Sequence, residues 1–148
     1  MSYKRFFAMI GTSTVLMFAL MYSTVYVTDH IWWSQTKLWM ALYMGATMAV
    51  VMLAFMLGMY EDKKKNLAIF VGSAVVFAVS FYFVRAQSTV DDVAWMKAMI
   101  PHHSIAILTS ERARITDPRV RELADEIIET QRREIAEMEA LIADLERE

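Results

Sequence analysis

Seven side chains in the last third of the sequence are suited to holding a metal: Met96, Met99, His102 and His103 in one stretch, Gln131, Glu134 and Met138 in another. Thioether sulfur is a soft ligand and imidazole a borderline one. A mixed Met/His set therefore suits copper, the reduced ion above all, ahead of calcium or magnesium. Zinc is less favoured, because it usually takes thiolate, imidazole and carboxylate. The chain has no cysteine, which removes thiolate sites, disulfides and cysteine nucleophiles together.

The two stretches meet only if two helices fold back on each other. Ser88 and Thr89 stand before Asp91 and Asp92 as an imperfect capping box, which predicts a helix over about 90–114. Pro101 interrupts that helix's hydrogen-bond ladder and predicts a kink near residues 97–101. Asp117 before Pro118 reads as an N-cap with proline in the first turn, opening a second helix over about 118–147. Asp92, Met96, Met99, His103, Ala106, Ser110 and Ala113 make a four-and-three seam along the first helix. Val120, Ala124, Ile127, Gln131, Glu134, Met138, Leu141 and Leu145 make another along the second.

Folding the pair about residue 117 predicts His103 near Gln131, Met99 near Glu134 and Ile135, and Met96 near Met138. The polar interruptions of the two seams then coincide. A carboxylate or amide on a packed face must find a partner. Two readings satisfy it: Glu134 pairs with His103 in an ordinary core, or the cluster takes a cation. Neighbouring helical residues point about 100° apart. His103 therefore faces the seam, and His102 completes the shell from the side or across a subunit boundary.

The run Met-Lys-Ala-Met-Ile-Pro-His-His at Met96–His103, with Ala106 and then Gln131, Glu134, Ile135 and Met138, closely resembles the DUF305 family over roughly Asp91–Leu145. These are ferritin-like helical domains, often extracytoplasmic and sometimes preceded by membrane spans, and some members bind copper. The resemblance implies a copper-binding role, with Met96, Met99, His102, His103 and Met138 as ligands and Gln131 and Glu134 supporting or ligating. Two departures stand out: Thr109-Ser110 where many relatives have a second Met-Ala, and Leu141 or its neighbours where a Trp is usual. The missing soft ligand implies one modest site, or a site completed by another subunit.

Ahead of the hairpin the chain is apolar. Of 148 residues, 57% are hydrophobic, and the excess lies in the first 85. Charge-free runs at about 6–27, 38–60 and 67–84 predict three transmembrane helices, since a hydrocarbon core of about 30 Å takes about 20 helical residues. Lys4 and Arg5 before the first span, and Lys63, Lys64 and Lys65 between the second and third, predict a cytoplasmic N-terminus. Residues 86–148 then lie in the periplasm or another extracytoplasmic space, with Trp32, Trp33 and Trp39 as outer interfacial anchors. Met40, Met44, Met48, Met52, Met56 and Met59 form a line that serves helix packing. A thioether track for a soft ion is the sharper alternative.

The fold expected is all-α: a membrane domain over 1–85 and a helical hairpin over 86–148. One hairpin has little core of its own, so a homodimer or higher homo-oligomer completing a four-helix bundle is expected. Residues 86–148 carry fourteen acids against eight basic groups, a poor surface for nucleic acid. No Glu-x-x-His pair suggests a di-iron oxidase, and no nucleophile stands in an evident triad. The expectation is a non-enzymatic protein of the bacterial inner membrane, in contact with lipid, that buffers copper or delivers it to a partner protein. A structural module whose polar cluster only fixes helix packing is the alternative.

Overall fold

A computed structural model of the protein describes residues 2–147. Its regular elements are all helical: α1 (Tyr3–Leu20), α2 (Gln35–Phe55), α3 (Lys63–Ala86), α4 (Asp92–Arg112) and α5 (Pro118–Leu145), with single 3-10 turns at Thr28–His30 and Leu57–Met59. The chain forms two units. The first takes residues up to 21 and 36–89; the second takes 22–35 and everything from 90 onward.

In the first unit, α2 and α3 are long and apolar enough to cross a membrane by length and composition. Leu67, Val71, Val75, Phe81 and Tyr82 of α3 face outward. Water penalises such a surface, whereas lipid accepts it. The apolar part of α1 is shorter than its sequence run. The helix stops at Leu20 and the chain turns away before Val27, leaving an apolar helical stretch of about 22 Å at 1.5 Å per residue.

Phe6, Ala49, Leu53, Tyr60 and Ile69 form this unit's core. Asp62 caps α3 by accepting from the Lys64 and Lys65 N–H groups, each at 3.1 Å, which meets donors left open at a helix start. Helix α1 comes close to α2 at Gly45, where an added Cβ would stand 2.2 Å from Thr14 Oγ1. That hydroxyl is itself held on the Ile10 carbonyl at 2.8 Å. Gly45→Ala is therefore expected to destabilise the unit by about 1–3 kcal/mol, the usual range for overpacking. Adding Thr14→Ala should restore most of the loss, as read from the thermal midpoint in detergent.

The second unit is the hairpin plus the segment that links α1 to α2. Helix α4 begins two residues later than the sequence suggests. Its cap is Asp91, which accepts from the Ala94 N–H at 2.8 Å, rather than Ser88 or Thr89. Pro101 sits buried inside a helix that continues past it. Asp117 caps α5 as expected, accepting from the Arg119 N–H at 2.9 Å, with Pro118 in the first turn.

The Arg119 guanidinium, helped by that backbone N–H, holds the Asp117 carboxyl below its ordinary value. A depressed folded-state value means the stabilisation is present above the unfolded pKa and is lost as pH falls through the folded one. Asp117→Ala should thus lower the thermal midpoint near neutral pH. The difference from the parent protein should shrink on acidification below about pH 4.

The buried line of α5 is Ala124, Ile128, Ile135, Met138 and Ile142. Val120, Ile127, Leu141 and Leu145, expected in the seam, are instead exposed. On α4 the fully enclosed residues are Met96, Ile100, Pro101, Ser104 and Ile107. Met99, His103, Ala106 and Ser110 are only partly covered, and Asp92 and Ala113 are exposed. Helix α4 is covered by more than α5, because Tyr26 and Trp32 pack against the same core. Trp32 thus belongs to the hairpin's core rather than serving as a free interfacial anchor.

Candidate metal centre

His103 is the hinge of the site. Its side chain is 14% exposed, and its Nε2 lies 2.9 Å from Glu134 Oε2 across the helix pair. Its Nδ1 lies 3.0 Å from the Met99 carbonyl oxygen one turn back on α4. Both partners are acceptors: a carbonyl has no proton to give, and an ionised carboxylate has none either. The clasp therefore needs two protons on the ring, or one on the ring and one on Glu134. A metal at Nε2 would replace the proton shared with Glu134, while the carbonyl kept the ring oriented through Nδ1–H.

The register of the hairpin brings thioether residues to within one helical turn of this contact. His103 is level with Glu134. In an antiparallel pair, four residues back on α4 is then level with four residues on along α5, which sets Met99 level with Met138. Met96 and Met138 are buried members of one cluster with Ile100, Ile135 and Ile142, and Met99 packs against it. The packing thus gathers Met96, Met99 and Met138 in one cluster, on the same helix pair that carries the His103–Glu134 contact.

The register itself differs from a fold about residue 117: His103 faces Glu134 where Gln131 was expected. Ion pairs on either side, Arg132 with Glu111 and Lys97 with Glu146, accompany the displaced register, and the connection between the helices spans five residues instead of about three. Gln131 is half-buried one turn before Glu134. His102 points outward, its ring centroid 6.2 Å from that of His103.

Among the described residues, no three His, Cys, Asp or Glu side chains gather tightly enough to hold an ion by themselves. His103 and Glu134 make only a pair. The hairpin core offers thioethers as further donors, and a set of imidazole and thioether fits a soft ion better than zinc.

One part of the site escapes the sequence seams. Ser104, fully buried, accepts from the Tyr26 N–H at 2.6 Å, and its hydroxyl lies 2.8 Å from His30 Nδ1. A serine side chain thus anchors a segment some 75 residues earlier in the chain, directly beside His103. The only local hint is that Ser104 falls in the four-residue rhythm Met96–Ile100–Ser104, where a polar side chain needs a partner. Arg132 lies over the Tyr26 ring and Lys97 over the Trp32 ring, at 5.9 and 5.6 Å from the centroids. These contacts add cation–π attraction to the same segment.

Residues 84–148 match the model of DUF305, a domain of unknown function. An uncharacterized protein of Acanthamoeba polyphaga mimivirus is 39% identical over 69 residues, which is 45% of this chain and 45% of that protein. The chain thus spans less than half the length of that relative. No solved structure matches the chain. The matched residues contain the whole helical hairpin that carries the His103–Glu134 clasp, so it is this part of the chain that is similar to the DUF305 family.

Proposed function

We propose that this protein is a membrane-anchored copper-binding protein, buffering copper(I) or handing it to a partner protein in metal tolerance. The carrying observation is His103, fixed through Nδ1 on the Met99 carbonyl so that Nε2 meets Glu134 across the pair, beside a core containing Met96 and Met138. Thioether and imidazole together suit copper(I), with Glu134 as a charge-balancing neighbour and His102 and Gln131 at the margin as further donors. The role is binding, without catalysis.

The membrane reading rests on α2 and α3, with α1 entering beside them through Phe6. Lys4, Arg5 and the Lys63–Lys65 run put the N-terminus in the cytoplasm of a bacterial inner membrane. The bonds of Tyr26 and His30 to Ser104 support a topology in which the α1–α2 connection and the hairpin share the periplasmic side. Val120, Leu123, Ile127, Leu141 and Leu145 leave an exposed apolar line on α5. A second copy covering that line completes a four-helix bundle.

Anaerobic titration of the detergent-purified protein with copper(I) and with zinc(II), followed by metal-edge spectroscopy, tests the proposal. Copper(I) is expected to bind more tightly, with sulfur and nitrogen neighbours. A bound ion with only oxygen and nitrogen neighbours would overturn the thioether site. The self-satisfied His103–Glu134 pair also favours a second reading, a module in which the polar pair fixes helix register. Full folding and helix pairing with no metal uptake would select it.

A further inference from the structure

The first unit contains a slot of about 520 Å³ between α1, α2 and α3. Small residues shape its walls, among them Gly45, Ala46 and Ala49 of α2 and Ala68 and Gly72 of α3. It runs from Tyr3 and Lys65 at one end to Thr14 and Val76 at the other, about 16 Å along the helix axes. A helix with its side chains is about 10–12 Å across and would fill roughly 1,200 Å³ over that length. The slot offers less than half of that volume. A single hydrocarbon chain has the right girth.

The two ends of the slot differ in chemistry. The Tyr3 hydroxyl lies 2.8 Å from Asn66 Oδ1 and 3.3 Å from the Asp62 carbonyl, so α1 and α3 begin side by side. Exposed Lys4, Arg5, Lys63, Lys64 and Lys65 gather at these two helix starts, against only Glu61 and Asp62. Lys65 reaches Asp62 at 2.9 Å, and the remaining cations outnumber the acids. Two helix N-termini add positive potential at the same end. Beyond it the walls are apolar. An occupant must therefore be an amphiphile with a negative head and a hydrocarbon tail, and cationic clusters at a membrane surface attract anionic lipids.

We propose that this slot holds one acyl chain of an anionic phospholipid, with its phosphate at the Lys65 end. The proposal rests on the membrane reading of α1–α3 and is independent of the copper reading. Gly72 gives a clean test, because a Cβ added there meets nothing within 4 Å. Gly72 lines the slot, so a larger side chain there takes up part of it and improves helix propensity.

The full-length protein, delipidated in detergent, would be titrated with phosphatidylglycerol and, separately, phosphatidylcholine, and read by native mass spectrometry. One phosphatidylglycerol per chain should be retained in preference to phosphatidylcholine. Gly72→Leu should cut retention about 10-fold at unchanged helicity, and replacing Lys4, Arg5, Lys63 and Lys64 together by Gln should remove the headgroup preference while leaving tail binding. Equal retention of both lipids, unchanged binding in Gly72→Leu, or a lipid-free dimer that closes the slot would each overturn the proposal. Alkaline carbonate washing of membranes separates the two readings. Release of the protein sinks the membrane reading and this site with it, whereas retention alongside unchanged Gly72→Leu binding sinks only the site.

Discussion

His103→Ala is expected to lower copper(I) affinity by about 100-fold or more while leaving the hairpin folded. The affinity loss follows from removing the imidazole that meets Glu134 across the helix pair. Disturbing even an outer partner of a metal ligand typically costs 10–100-fold. Survival of the fold follows from exposure. Removing one member of a fully buried ion pair costs about 3–5 kcal/mol, because the other charge is stranded. The Glu134 side chain, however, is 41% exposed, so water can solvate it once the ring is gone, and a loss nearer 1 kcal/mol is expected. Equilibrium competition against a copper(I) chelator measures the first quantity, and circular dichroism on heating measures the second. His102→Ala, at an outward-facing position, should have a clearly smaller effect on affinity. If both single variants bind copper(I) as the parent does, the clasp serves only to set helix register.

The parts of this arrangement that were legible in the sequence are those with local signatures. Asp117 and Pro118 mark the start of α5 because an N-cap acceptor and a donorless first-turn residue solve the same local problem. Met96, Met138 and the meeting of His103 with the Glu134 stretch follow from helical periodicity and antiparallel return. Periodicity fails where two adjacent positions are both apolar. Ile127 and Ile128, or Leu141 and Ile142, define neighbouring stripes on α5, and only the partner's shape selects Ile128 and Ile142 for burial. The early end of α1 was illegible for a different reason. Residues 21–27 are apolar enough to continue the helix, but Tyr26 is drawn to Ser104 by a contact spanning 78 positions, and hydropathy carries no trace of such a distant partner.

Ser104→Val is the sharpest test of that long-range anchor. Valine nearly preserves the volume and removes the hydroxyl, leaving the Tyr26 N–H and His30 Nδ1 without the oxygen that lies between them. A buried donor stripped of its acceptor costs about 1–3 kcal/mol. The loss should appear first as local release of segment 22–35, because α4 and α5 keep their shared core. Hydrogen exchange at the Tyr26 amide should therefore quicken by about 5- to 150-fold, the range equivalent to that energy. Amides within α5 should change much less. Ser104→Thr, which keeps an oxygen at the same place, should retain most of the protection. Copper(I) binding reports whether the anchor matters to the neighbouring site. If the segment only covers the hairpin, affinity in Ser104→Val stays at the parent value. If docking at Ser104 also holds the adjacent His103 in its clasped orientation, affinity falls together with protection, and His30→Ala produces a similar loss through the same oxygen.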